Sequence, residues 1–296
     1  MRTPSTALGF IGLGIMGAPM AMHLLHAGHR LYVHTRTAAR AQPLLNVGAV
    51  WCNTPADVGR QCDVLITIVT DTPDVEAVLF GPHGAAETLP TGACVIDMST
   101  IDPEQTRVFA QRLAARGVTL LDAPVTGGDV GARNATLTIM VGGDATAFER
   151  IRPVLAHLGR RIVHVGPSGS GQLLKACNQI LCAVNMIGVC EALTLARRAG
   201  LDLAQAIETL NSGAGGSWAL GNLGPKIAAG DDAPGFMIKL MQKDLRIVQS
   251  VAATLGITLP GAALAQQFYR SVSAEPEGAR LGTQAMIHAL NRLNDP

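Results

Sequence analysis

Residues 9–29 read GFIGLGIMGAPMAMHLLHAGH, and this stretch decides the fold of the first half of the chain. A short apolar run leads into Gly12-Leu13-Gly14-Ile15-Met16-Gly17, and a helical segment follows. In a chain with 33 glycines the spacing G-x-G-x-x-G says little alone; placed between a strand and a helix it becomes informative. Gly12 permits the tight turn, Gly14 lets backbone approach a pyrophosphate, and Gly17 lets helix and strand pack closely. The N–H groups of the helix start then face the phosphates. The competing reading is a tight strand-to-helix turn with no ligand.

Outward from this turn, β-like runs alternate with helical patterns as far as about residue 165. The runs are ALGFIG, RLYVH, DVLITIV, ACVIDM, VTLLDA, TLTIMVGG and RIVHV. Such alternation predicts a parallel, doubly wound α/β sheet of Rossmann type. Runs such as VLITIV do not alternate, as expected where both sheet faces are covered. After Gly171 no convincing strand follows. An all-helical domain is expected there, opening with a long helix that links the two. The expected division is 1–168 for dinucleotide binding and 169–296 for the helical substrate and oligomerisation domain.

The composition fits this plan. The chain has 296 residues, is 48% hydrophobic and 15% charged, and has a net charge of +1. Nothing in that balance suggests a nucleic-acid or membrane-surface partner. Lys175, Asn178, Gln179, Asn185 and Glu191 interrupt the long apolar helix and argue against a membrane span. The six cysteines form no C-x-x-C pair and read as small core residues in a reducing cytoplasm. No metal is implied.

The end of the second strand speaks to the cofactor. NAD sites usually place an acid there to hold the ribose 2′-hydroxyl. Here the run is RLYVHTRT; the expected position, near Thr35, lacks an acid, and Arg36 and Thr37 follow. An arginine pairs with a 2′-phosphate, which a carboxylate would repel. NADP is therefore expected, with NAD possible; a solvated loop arginine is the competing reading. Further on, Val69 and Thr70 follow one strand, and Ser99 and Thr100 another, where ligands of such sheets bind. These hydroxyls either touch the cofactor or cap the next helices, and Asp102 reads as a cap.

Two features point to a substrate. Thr126-Gly127-Gly128 offers a hydroxyl and unobstructed N–H groups, a concavity for a carboxylate, or else a wide turn. Lys175, Asn178 and Gln179 share one face of an otherwise apolar helix. Reduction of a carbonyl needs a proton for the oxygen, and a partly buried lysine suits that role. A lysine snorkelling at a helix end is the plainer alternative.

The set GFIGLGIMGAPMA, IDMSTIDP, DAPVTGGDVGARNATLTIMVGG, GQLLKACNQI and PGFMIKLMQKDL resembles, in order and over almost the whole chain, the β-hydroxyacid dehydrogenase family. That family includes 3-hydroxyisobutyrate dehydrogenases and reductases of tartronate, glyoxylate and succinic semialdehyde type. The resemblance implies reversible hydride transfer between NADP(H) and a small 3-hydroxyacid or semialdehyde acid. It implies that Lys175 is catalytic and that Thr126, Gly127 and Gly128 bind the substrate carboxylate, with Thr126 replacing a frequent serine. The position four residues after the lysine, often asparagine, is Gln179 here, with Asn178 beside it. Lys243 and Asp244 match a pair that closes over the nicotinamide, and Trp218 and Phe236 match an apolar pocket wall. A homodimer or homotetramer is implied. LDAPV and EALTLARRAGLD are most similar to the tartronate semialdehyde (2-hydroxy-3-oxopropionate) reductases. Imine reductases share the architecture but replace the lysine by Asp or Tyr. A non-catalytic NADP-binding scaffold would have no use for Lys175, Thr126 and Lys243 together.

Overall fold

The computed structural model describes residues 7–294; the outermost ends of the two expected domains, 1–6 and 295–296, lie outside them. Six strands run parallel: β1 (Ala7–Ile11), β2 (Arg30–His34), β3 (Val50–Trp51), β4 (Val64–Thr67), β5 (Cys94–Asp97) and β6 (Thr119–Asp122). Their spatial order is β3-β2-β1-β4-β5-β6, the order of a Rossmann domain, whose switch point lies between β1 and β4. Every residue of β4 and β5 is buried, which explains why these runs do not alternate; Thr67 and Asp97 at their ends are buried polar exceptions. The crossovers carry α1 (Gly17–His26), α2 (Gln42–Leu45), α3 (Pro55–Gly59), α4 (Thr72–Phe80) and α5 (Pro103–Ala114). One face of the sheet buries Phe10, Ile66 and Ile96; the other buries Ile11, Leu65 and Val95 beneath Leu79 and Phe109.

The parallel, doubly wound sheet is as expected, and its far edge adds antiparallel pairing that the sequence runs do not predict. Here β7 (Val125–Thr126), α6 (Gly128–Arg133), β8 (Leu137–Gly142), α7 (Ala145–Leu155) and β9 (Gly159–Gly166) follow in sequence. Strand β8 runs antiparallel to β6 and β7, and β9 adds parallel to β8. Strands β6 and β7 run in the same direction, and the chain reverses in residues 127–136, which hold only the short helix α6, less than the dozen or more residues that a parallel crossover takes. The two-residue strands β3 and β7 are also absent from the sequence expectation; neither is long enough to show a pattern.

The chain divides into two compact units, the first ending at Lys175 and the second beginning at Ala176. The division falls inside α8 (Ser170–Arg198), which runs through it without a break. The second unit continues with α9 (Leu203–Asn211), α10 (Trp218–Ala229), α11 (Ile238–Leu255), α12 (Pro260–Ser273) and α13 (Met286–Asn294). Among its described residues the only strand-like pairing is the isolated bridge Met237–Gly282. Met241, Leu245, Val248 and Ala252 of α11 are buried at helical spacing, the stripe that turns a helix toward a core. They meet Ala183, Met186, Cys190 and Leu193 of α8 and Tyr269 of α12. By length and composition α8 is apolar enough to cross a membrane, but much of that apolarity is spent in this core. Four cysteines are buried as expected; Cys177 and Cys182 are exposed on α8, because the helix keeps a face outside the core.

Candidate active site

The glycine turn separates into parts that the protein requires and one that it does not. Gly12 has φ +104° and donates its N–H to the His34 carbonyl at 3.0 Å. A Cβ on Gly12 would collide with the Ile68 carbonyl oxygen, and one on Gly17 with the Gly12 carbonyl oxygen. A Cβ on Gly14 would meet nothing within 4 Å. The chain itself does not demand Gly14, so the space beside it is available to a ligand. Helix α1 has no acid in its first turn, and Met16 offers no side-chain cap, so its positive end is left to an external anion. Ile15 is exposed beside it, and the Leu13 N–H donates to Thr35 Oγ1 at 3.4 Å. These residues fit the pyrophosphate of a dinucleotide.

At the end of β2, Arg36 extends into solvent, its side chain 81% exposed, and Nη1 pairs with Asp74 Oδ1 at 3.2 Å. Asp74 lies in the first turn of α4. The sequence expectation did not include it, since nothing local links two residues 38 positions apart. Thr37 precedes the single helical turn Ala38–Ala41 without capping it.

The loops after β4 and β5 are tied together. The Val69 N–H donates to Ser99 Oγ at 2.9 Å, and the Ser99 N–H donates to Asp97 Oδ1 at 3.2 Å. Thr67 Oγ1 donates to the same oxygen at 2.8 Å, while Asp97 Oδ2 is buried without a hydrogen-bond partner. Burial pushes the Asp97 carboxyl up to about 6, against the pull of those hydrogen bonds. The Ser99 hydroxyl is thus committed to the loop backbone rather than open to a ligand. Thr70 and Thr100 share these loops. Asp102 is the cap it was expected to be, accepting from the Glu104 and Gln105 N–H groups. Asp97 was missed, although an acid inside the apolar run CVID is itself a signal of a buried carboxyl.

Thr126 ends β7 opposite Thr138. Gly127 and Gly128 follow with φ +126° and +62°, backbone that favours glycine. A Cβ on Gly128 would meet nothing within 4 Å, so this loop also presents open backbone.

Lys175 lies in the second turn of α8 and is 7% exposed. In the helical unit, Asn178 Nδ2 donates to Gln179 Oε1 at 2.7 Å, and Gln179 Nε2 donates to Asp244 Oδ2 at 2.5 Å. Lys243 Nζ pairs with Asp244 Oδ1 at 2.8 Å. Four of the expected residues are thereby brought together, and the Gln179 amide is used at both ends. Phe236 is half-buried against the helical core, whereas Trp218, at the start of α10, is 63% exposed. Among the described residues no group of three or more His, Cys, Asp or Glu side chains is placed to hold a metal.

Comparison with known proteins agrees with this architecture. Residues 7–166 match the NAD binding domain of 6-phosphogluconate dehydrogenase, and residues 169–290 match the NAD-binding domain of NADP-dependent 3-hydroxyisobutyrate dehydrogenase. The chain is 42% identical to the 2-hydroxy-3-oxopropionate reductase of Escherichia coli, over 97% of each chain. It is 39% identical to the NAD-dependent L-serine dehydrogenase of Pseudomonas aeruginosa, over 89% of this chain and 91% of that one. Among solved structures, 3-hydroxyisobutyrate dehydrogenase of Mycobacterium tuberculosis with L-serine is similar at a TM-score of 0.88 and 32% identity, covering 96% of this chain and 99% of that one. With the dinucleotide turn, the strand order and the helical second unit in place, the chain belongs to the β-hydroxyacid dehydrogenase family of NAD(P)-dependent oxidoreductases.

Proposed function

We propose that the chain is an NADP-dependent reductase of a small semialdehyde acid, reversible as a 3-hydroxyacid dehydrogenase, with tartronate semialdehyde (2-hydroxy-3-oxopropionate) as its substrate. The observation that carries this reading is Lys175, a lysine only 7% exposed. It stands one turn beyond Gln172, whose side chain holds the loop at the carboxyl end of β5. A lysine is rarely this buried without a partner or a task.

The nicotinamide, when bound, supplies hydride to the aldehyde carbon. Lys175 Nζ gives the proton that the carbonyl oxygen gains, and takes it back in the direction of oxidation. Thr126 Oγ1 and the N–H groups of Gly127 and Gly128 hold the substrate carboxylate. Residues 12–17 cradle the pyrophosphate, Val69, Thr70 and Thr100 border the cofactor, and Arg36 between Thr35 and Thr37 takes the 2′-phosphate. Lys243 and Asp244 are assigned to the cofactor by family likeness. Asn178 is favoured over Gln179 as the substrate contact, because the Gln179 amide is already engaged with Asp244. Phe236 and Trp218 complete the proposed apolar wall. The same reading has a homodimer or homotetramer acting in the cytoplasm, supported by exposed Leu181 and Leu195 on α8 and by six free cysteines.

One observation favours a second reading, with NAD as the cofactor: the Asp74 carboxylate occupies Arg36 and would repel a 2′-phosphate. Initial rates with NADPH and NADH against tartronate, succinic and methylmalonate semialdehydes and glyoxylate separate the readings. The proposal expects the highest kcat/KM for tartronate semialdehyde with NADPH. A preference for NADH, or for another acid, refutes that part of it.

A further inference from the structure

Helix α8 begins without a capping side chain of its own: the sequence there is PSGSGQ, and Gly169 and Gln172 bracket the first turn. The cap comes from β6. Asp122 Oδ1 accepts the Gly169 N–H at 2.8 Å, and Oδ2 accepts the Gln172 N–H at 3.0 Å. One carboxylate, wholly buried, thus satisfies two of the helix's orphan donors. The Gln172 side chain, which in an ordinary capping box would turn back to its own helix, reaches across instead. Its Oε1 accepts the Ile101 N–H at 3.1 Å and its Nε2 donates to the Ser99 carbonyl at 2.8 Å. Ser99 Oγ in turn accepts the Val69 N–H. The joint is closely packed. A Cβ on Gly142 would lie 2.7 Å from Asp122 Oδ1 and 2.8 Å from the Gly171 nitrogen, and one on Gly171 would collide with the Met140 carbonyl.

We propose that Asp122 and Gln172 are positioning residues that fix the register of Lys175 against the loops after β4 and β5. This rests on the reading of Lys175 as the proton donor. Lys175 lies one turn after Gln172, and a helix transmits a displacement at its first turn to the next. Neither Asp122 nor Gln172 need touch substrate or cofactor. An isosteric amide at 122 offers one oxygen and one N–H₂, so one of the two helix N–H groups would face a donor. Methionine at 172 keeps length and loses both bonds to the Ser99–Ile101 loop.

The test places Asp122→Asn and Gln172→Met in the parent and in the Lys175→Ala background. Single-turnover hydride transfer, NADPH titration and melting temperature are then measured below every variant's transition. In the parent, each change is expected to slow hydride transfer by about ten- to a hundredfold, the effect of misplacing a reacting group by about 1 Å, with NADPH affinity near the parent's. In the Lys175→Ala background neither should slow it further, because residues that act through one group are not additive. Equal fold losses in both backgrounds, or a lower melting temperature with unchanged transfer, overturn the proposal. If Lys175→Ala alone transfers hydride at the parent rate, the proton-donor reading has failed, and that arm shows it without reference to Asp122. Should Asp122→Asn not fold, Gln172→Met decides by the same comparison.

Discussion

Two roles of the glycine turn, helix packing at Gly17 and ligand approach at Gly14, can be pulled apart by a single methyl group. At Gly17 an added Cβ would run into the Gly12 carbonyl oxygen and lie 2.9 Å from Ile68 Cγ2. The first obstacle is backbone, so relief requires α1 to move off β1. Overpacking of this kind costs about 1–3 kcal/mol. A domain of this size loses about 2–4 °C per kcal/mol, so Gly17→Ala should melt roughly 5–10 °C below the parent, if the cost lies near the upper end. At Gly14 the same methyl meets nothing within 4 Å, and the backbone there is not in the left-handed region. Gly14→Ala should therefore stabilise slightly, by about 0.4–1 kcal/mol, through the unfolded chain. On the proposed assignment of the turn its methyl projects into the space given to the pyrophosphate, and cofactor affinity should fall by about tenfold or more, equivalent to about 1.4 kcal/mol. Thermal melting without cofactor and a fluorescence titration with NADPH measure both variants. The opposite signs make the pair decisive. A Gly14→Ala variant that binds NADPH like the parent would refute the assignment of the turn, and a Gly17→Ala variant with parental melting would refute the packing argument.

Other outcomes follow from the same geometry. Arg36→Ala should weaken NADPH by about ten- to a hundredfold, the worth of a charge-assisted contact, and NADH much less; equal losses in titrations of both would remove Arg36 as the discriminating residue. Gly127→Val forces a β-branched side chain to φ +126° and should abolish turnover of the semialdehyde acid while NADPH still binds, which steady-state rates and titration read separately. Asp97 has its folded pKa raised to about 6 from about 3.9 in the unfolded chain. The folded state therefore holds the proton more tightly, and the associated stability is full below about pH 4 and lost as pH rises through about 6. Two pKa units correspond to about 3 kcal/mol. Asp97→Asn, which mimics the protonated form, should match the parent at pH 4 and melt higher at pH 8; an unchanged pH profile of melting would contradict this.

What was legible in the sequence was whatever depends on neighbours along the chain. The glycine turn, the buried parallel strands and the Asp102 cap each announce themselves within a few residues, and the structure has them where the pattern puts them. The antiparallel edge was not legible, because nothing within TLTIMVGG distinguishes a strand that runs up the sheet from one that runs down; the reversal falls in the connection from β7 to β8 that holds the short helix α6. The supports of the site were missed for the same reason. Asp122 stands inside a motif that was read for its glycines, and its partners Gly169 and Gln172 lie 47 and 50 residues away. Asp74 lies 38 residues from Arg36. Gln179 and Asp244 are 65 apart, so the commitment of the glutamine amide to a carboxylate shows only in three dimensions. Residue types at helical spacing identified Lys175, Asn178 and Gln179 as a polar group, but not which of them was already occupied.

The proton-donor role of Lys175 is tested most directly by single-turnover hydride transfer from NADPH to a semialdehyde acid in Lys175→Ala. The account predicts a fall of about 10²–10⁴ in that rate, with NADPH affinity and melting temperature close to the parent's. Hydride transfer at close to the parent rate would contradict it.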